Sequence, residues 1–63
     1  MESVDIFLVG EPEKPITLDG NFGFDPQTLS YIVQSHDGKV WLFPIRAVQM
    51  IVRTPSKIVS LNN

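Results

Sequence analysis

The stretch YIVQSHDGKVWLFPIRAVQMIV, residues 31–52, carries the clearest folding signal of the chain. Asp37-Gly38 separates two apolar, β-forming clusters, and this dipeptide is typical of a hairpin turn because the central turn residues must accept positive φ. Residues 45–47 are expected to form one helical turn, and apolar residues at alternate positions from Val48 predict a strand. The stretch therefore predicts a hairpin, a helical turn and a further strand.

The first part of the chain predicts short strands separated by breaks. Residues 4–9 are rich in β-formers and predict a first strand. Residues 11–15 predict a polar loop, because their two prolines cannot donate to a strand ladder. A short strand at 16–18 is expected to stop near Gly20, and residues 21–24 are expected to return as its partner.

Two predictions compete for residues 27–35. Asp25 as the N-cap and Pro26 at the first helical position favour a short helix. The β-forming cluster at 31–33 favours a strand, because it precedes the hairpin turn and a second β-forming cluster at 40–43. The strand is the preferred interpretation.

The chain is short for an independent domain. Its 63 residues predict a single mainly β domain over residues 1–63, with a short edge strand expected at 57–61. At this size, the gain from burying apolar area and the entropy cost of ordering the chain nearly cancel. No cysteine is present, so disulfides and thiolate metal sites are excluded. Assembly of several copies is therefore the expected source of additional stability.

Composition and charge limit the possible partners. Hydrophobic residues make up 43% of the chain, which is too apolar for a disordered protein. No apolar run is long enough to span a membrane and no basic signal-peptide region is present, so no membrane contact and a cytoplasmic location are expected. The net charge is −2, but all seven acidic residues precede Gly38 and four of the five bases follow it. The second half is therefore locally basic.

Both faces of the predicted hairpin are apolar. A two-residue turn would pair Val33 with Leu42 and place Trp41 and Phe43 on the opposite face. A three-residue loop would shift this pairing by one residue without making either face polar. Because a half-solvated hairpin alternates apolar and polar residues, the second face requires a cover. A partner subunit, a terminal segment or a ligand would provide it.

The residues offer little for catalysis. His36 is the only histidine, and its position beside the turn favours a solvated turn residue over a metal ligand or a base. The carboxylates fall mostly in loop or turn signals, and residues 20–23 lack the Lys-Ser/Thr of a phosphate loop. The sequence therefore predicts a protein that is not an enzyme and uses no metal and no cofactor.

Binding is the better supported class of function. Aromatic side chains interleaved with cations can stack on bases and hold phosphates, although the same aromatics can fill the core of so small a domain. For Trp41 the core and an interface are equally supported, and Trp41→Asp is predicted to disrupt assembly or partner binding more than the fold. The candidate binding residues are Trp41, Phe43, Tyr31, Arg46, Arg53 and Lys39.

Residues 40–52, VWLFPIRAVQMIV, resemble the second signature of the Sm-like family, which includes bacterial Hfq. In that signature an apolar strand leads through a short turn into a final strand, with apolar positions at the spacing of Phe43, Val48 and Ile51. The resemblance implies a five-stranded SH3- or Sm-like barrel with one short helical turn, assembled into a ring through its last strands. It also implies RNA binding, with Arg46 as the basic group that is kept.

Three functions are compatible with these observations. The first is a non-enzymatic interaction module, a homo-oligomer that acts as a regulator or inhibitor by binding itself or another protein through its apolar hairpin face. The second is an Sm-like RNA-binding ring that uses Arg46, Arg53 and Lys39. The third binds a small nucleotide-like ligand between subunits, with Trp41 or Phe43 stacked on it. The first is preferred, because the acidic net charge disfavours RNA and no residue specifically requires a small ligand.

Overall fold

The computed structural model describes residues 2–55 of the chain, which form five antiparallel strands in one sheet. The elements are β1 (Glu2–Leu8), β2 (Glu11–Asp25), β3 (Ser30–Ser35), β4 (Val40–Pro44), a 3₁₀ turn (Ile45–Ala47) and β5 (Val48–Pro55). Across this sheet the strand order is β4-β3-β2-β1-β5, so β4 and β5 are its two edges among the described residues. The mainly β fold is confirmed, whereas the sheet is not closed and the predicted barrel is not confirmed. The edge strand predicted at 57–61 lies outside the described residues.

Strand β2 is continuous, so the prediction of two short strands separated near Gly20 was wrong. Its first part pairs with β1 and its second part with β3, and Gly20 is opposite Glu2 on one side and Ser35 on the other. A Cβ atom on Gly20 would lie 2.0 Å from the carbonyl oxygen of Gln34. The glycine is therefore required for a close approach between strands and does not mark a chain reversal.

The predicted loop at residues 11–15 is instead an irregular part of β2. The pairing with β1 passes from Leu8↔Glu11 to Ile6↔Ile16, so residues 12–15 have no register partner on β1. Both prolines lie in this irregular stretch, where a missing backbone donor breaks no ladder hydrogen bond. The prolines indicated the missing pairing correctly, but they did not end the strand.

The strand preferred for residues 27–35 is confirmed for Ser30–Ser35. Residues 26–29 form a turn, and the Asp25 carboxylate accepts hydrogen bonds from the Gln27 amide and the Thr28 hydroxyl, both at 3.0 Å. Asp25 therefore caps a turn and not a helix. This local hydrogen bonding is a common property of aspartate, and it explains why the two predictions were difficult to separate.

Three residues, 36–38, lie between Ser35 and Lys39, the pair that closes the β3–β4 loop, in place of the two-residue turn. The Ser35 amide donates to the Lys39 carbonyl at 2.9 Å, and Gly38 lies at φ +92° within the loop. The Asp37 carboxylate accepts hydrogen bonds from the Ser35 hydroxyl and from the Lys39 amide. These bonds hold the pKa of Asp37 below its ordinary value, because they favour the ionised carboxylate.

The longer loop shifts the hairpin register by one residue. Val33 pairs with Trp41, and the predicted pairing with Leu42 was wrong. Since neighbouring residues of a strand face opposite sides, Trp41 and Phe43 share the face of Val33, whereas Val40 and Leu42 face outward. The aromatic side chains of β4 are therefore directed inward.

We expect Gly38→Val to destabilise the domain by about 1–2 kcal/mol, because a β-branched residue is strained at φ +92°. The Gly38→Asn variant is the control, since asparagine tolerates a left-handed backbone. Thermal unfolding followed by circular dichroism measures both variants. Equal melting temperatures for the valine and asparagine variants would contradict the loop geometry.

The core lies on the inner face of the sheet. Val4, Ile6 and Val33 have no exposed surface, and Phe43 is 7% exposed. These residues form one cluster, although β1 is separated from β3 and β4 by β2 in the strand order. The sheet must therefore curl so that its two halves pack face to face. This curl leaves the outer face and the two edge strands in contact with solvent.

Candidate interaction site

The open edge of β4 displays the backbone groups of alternate residues. At the two ends of the β3–β4 pair, Ser35 donates to the carbonyl of Lys39 and Ile45 donates to the carbonyl of Leu29. Because hydrogen-bonded and non-hydrogen-bonded pairs alternate along antiparallel strands, residues 41 and 43 bond to β3. The backbone groups of residues 40, 42 and 44 therefore point away from the sheet.

Both edge strands also carry exposed apolar side chains on their outer face. Val40 and Leu42 of β4 are 59% and 58% exposed, and Met50 and Val52 of β5 are 50% and 41% exposed. Each pair is spaced by two residues, so its members lie side by side on one face of their strand. Within residues 2–55, each edge thus combines backbone groups that pair with no other strand and an apolar row.

The predicted binding aromatics Trp41 and Phe43 lie together on the inner face. Their rings stack with centroids 6.2 Å apart and an interplanar angle of 8°, and Trp41 packs against the buried cluster. Within residues 2–55 the buried Nε1 of Trp41 has no hydrogen-bond partner. The arrangement makes both side chains part of the core packing.

Tyr31 is engaged by two other aromatic side chains. Its ring stacks on Phe22 with centroids 5.7 Å apart, and Phe24 lies at 5.6 Å in a tilted geometry. Such pairs stabilise aromatic packing beyond the area that they bury. Less of the Tyr31 ring therefore remains available to stack on a ligand.

The predicted cation Arg53 is held within the chain. Its guanidinium donates to both carboxylate oxygens of Glu2, with Nη2 to Oε1 at 2.9 Å, and lies 4.6 Å from the centroid of the Phe22 ring. The hydrogen bond from Arg53 lowers the pKa of Glu2, and the carboxylate in turn raises the pKa of Arg53. Arg53 therefore joins β5 to β1 and β2 at the surface.

The other two predicted cations, Lys39 and Arg46, are not brought together. Lys39 precedes β4 and Arg46 follows it, so they lie at opposite ends of that strand. The three candidate bases therefore do not form one basic patch. Lys39 borders a cavity of about 230 Å³ and Arg53 one of about 260 Å³, whereas Arg46 borders a cleft of about 680 Å³.

A cleft of about 680 Å³ lies between the β2–β3 turn and the 3₁₀ turn. Leu29 in this cleft has φ +54° and is 54% exposed, while its carbonyl accepts the Ile45 amide at 3.0 Å. Arg46 forms no ion pair with any described residue. Leu29 was not predicted from the sequence, because a leucine has no sequence signal for a left-handed backbone. The lining residues are Thr28, Leu29, Tyr31, Pro44, Ile45 and Arg46.

Residues 2–55 contain no group of three or more His, Cys, Asp or Glu side chains placed to hold a metal ion. None of their helical segments is long and apolar enough to cross a membrane. Comparison with models of protein families, with curated proteins and with solved structures found no match. The resemblance of residues 40–52 to the Sm-like signature therefore stays a prediction.

Proposed function

We propose that the protein is a non-enzymatic interaction module whose copies assemble by pairing the β4 edge of one copy with the β5 edge of the next. The observation that carries this proposal is the open, apolar edge on each side of the sheet. Unpaired backbone donors and acceptors on an edge are a template for another strand. Pairing of a β4 edge with a β5 edge would therefore join one copy to the next.

The side chains of the two edges support the same pairing. Edge-to-edge contact would bring the row of Val40 and Leu42 beside the row of Met50 and Val52, so that exposed apolar surface becomes buried. Charged residues, which natural edges use to prevent such pairing, are absent from β4. The single charge of β5 is Arg53, which is already paired with Glu2.

Contact between two different edges repeats from copy to copy, and it ends only where the rotation between copies closes a ring. Each added contact buries apolar area, which a chain of 63 residues needs for stability. The area buried at each contact favours a homo-oligomeric ring over a single copy. The resemblance of residues 40–52 to the Sm-like signature agrees with it.

Leu42→Pro tests the edge pairing, because the Leu42 amide points away from β3 and its removal costs no hydrogen bond within the sheet. We expect the mass measured by size-exclusion light scattering to fall severalfold, by the number of copies joined edge to edge. Leu42→Lys, which places a charge in the apolar row, is expected to have the same effect. Circular dichroism shows whether each variant keeps its strands.

Gln34→Lys is the matched control, because Gln34 lies on the outer face of the internal strand β3. Its mass should equal that of the unmodified protein. The proposal would be overturned if both Leu42 variants had the same mass as the unmodified protein. A single-chain mass for the unmodified protein at all concentrations would also overturn it.

An RNA-binding ring is the second candidate function, and the observation that favours it is Arg46, exposed and without an ion-pair partner in the described chain. The engagement of Tyr31 by two aromatics and of Arg53 by Glu2 leaves fewer groups for RNA than the sequence predicted. The ratio of absorbance at 260 and 280 nm across the same peak tests this candidate. A raised ratio that ribonuclease removes would support it.

A further inference from the structure

The cleft beside Arg46 has the chemistry of a docking site. Leu29 and Ile45 provide apolar walls that are 54% and 38% exposed, and Arg46 provides a guanidinium that has no ion-pair partner among residues 2–55. An exposed leucine held at φ +54° is unfavourable both for its backbone and for its solvation. These features match an aliphatic side chain that lies next to a carboxylate, since guanidinium and carboxylate groups form paired hydrogen bonds.

The chain itself presents this combination at the turn between β1 and β2. Val9 is 62% exposed, the largest fraction among the exposed large hydrophobic residues of the described chain. Gly10 follows at φ +94°, and Glu11 comes next without an ion-pair partner among residues 2–55. We call residues 9–11 the tip. It offers an aliphatic side chain and a carboxylate two residues apart.

The tip and the cleft lie at the same end of the molecule. The Val9 amide donates to the Ala47 carbonyl at 3.0 Å, and Ala47 directly follows Arg46. Two copies related by a two-fold axis at this end would therefore bring each tip to the other copy's cleft. Such an isologous contact makes every interaction twice, so two small contacts add in one interface.

We propose that two copies of this chain associate end to end, with Val9 of each copy in the Leu29–Ile45 part of the other copy's cleft and Glu11 paired with Arg46. The partner copy supplies the aliphatic side chain and the carboxylate that the cleft lacks. This contact uses neither open edge of the sheet. It is therefore independent of edge pairing.

A charge swap tests the end-to-end contact. In the Leu42→Pro background, which removes edge pairing, we expect Arg46→Glu and Glu11→Arg each to weaken dimerisation by about tenfold or more in Kd, because each places like charges opposite one another. The variant that carries both changes is expected to recover dimerisation, since the opposite charges face each other again. Sedimentation equilibrium measures the three values of Kd.

Gln34→Glu is the matched control, because Gln34 pairs with Val40 at the other end of β4 from the cleft and should leave the Kd unchanged. Val9→Ser tests the apolar part of the contact without a change of charge, and it should also weaken dimerisation. The proposal is overturned by a Kd that is insensitive to Arg46→Glu, or by a double variant that stays as weak as the single ones. Failure of edge pairing would appear separately, as an unchanged mass on Leu42→Pro in otherwise unmodified protein.

Discussion

Gly20→Val is expected to destabilise the domain strongly. The added Cβ would lie 2.0 Å from the carbonyl oxygen of Gln34 and 2.8 Å from the Cα of Ser35. These are backbone atoms of β3, so no change of side-chain rotamer relieves the overlap, and the strands must separate. We expect a loss of about 3 kcal/mol or more in the free energy of unfolding, a large part of the about 5 kcal/mol available to a small domain.

Urea unfolding followed by the fluorescence of Trp41 measures this loss. Gly23→Ala is the matched control, because Gly23 lies on the same strand and a Cβ there meets no atom within 4 Å. Its free energy of unfolding should change by no more than about 0.5 kcal/mol. A Gly20→Val variant with the urea midpoint of the unmodified protein would contradict the close approach of β2 and β3.

Trp41→Asp is expected to unfold the chain, and not only to disassemble it as the sequence analysis predicted. The indole lies on the inner face, stacked on Phe43 and packed against the buried cluster. Removal of such a large aromatic side chain costs about 3–5 kcal/mol. The new carboxylate would also be placed against apolar neighbours, which adds a desolvation cost.

Far-ultraviolet circular dichroism during heating tests this expectation without relying on the indole signal. Trp41→Phe is the control, because it keeps an aromatic ring and loses an Nε1 donor that has no partner in the described chain. Its cost should stay below about 1.5 kcal/mol, since an unpaired buried donor contributes no favourable hydrogen bond. A Trp41→Asp variant that keeps its strands and loses only its assembly would show that Trp41 lies at an interface and not in the core.

The elements that were predicted correctly have local sequence signals. The β3–β4 hairpin follows from Asp37-Gly38 between β-forming clusters, and the 3₁₀ turn follows from the break after Pro44. The length of the loop was not predictable from the dipeptide alone, because the glycine fits both a two-residue turn and the left-handed position of a longer loop. One extra loop residue was enough to direct Trp41 inward.

The continuity of β2 was not predictable, because it depends on residues distant in sequence. Gly20 looks like a strand end locally, and only its two neighbours, Glu2 and Ser35, give it a place inside the sheet. The prolines of residues 11–15 were misleading for a similar reason, since they lie where β1 offers no regular partner. The β-propensity of a residue follows from its type, whereas its strand pairing depends on residues that are distant in the sequence.

The candidate site was predicted in part. Tyr31 and Arg46 do line the cleft, whereas Lys39 lies at the other end of β4. Arg53 was a candidate because it is basic, but its partner Glu2 lies 51 residues away in sequence, and no local pattern reveals that pairing. Leu29 was identified only from the structure, where its backbone is left-handed.

The position of β1 also has a consequence for the time at which the chain can fold. β1 is made before the other four strands, but its second neighbour in the sheet is β5, and Glu2 lies opposite Pro55. The ribosome must therefore release nearly all of residues 2–55 before β1 has a neighbouring strand on both sides. Contacts of this large sequence separation slow folding, because the intervening loop must close before they form. The sheet is thus completed after translation of its last strand.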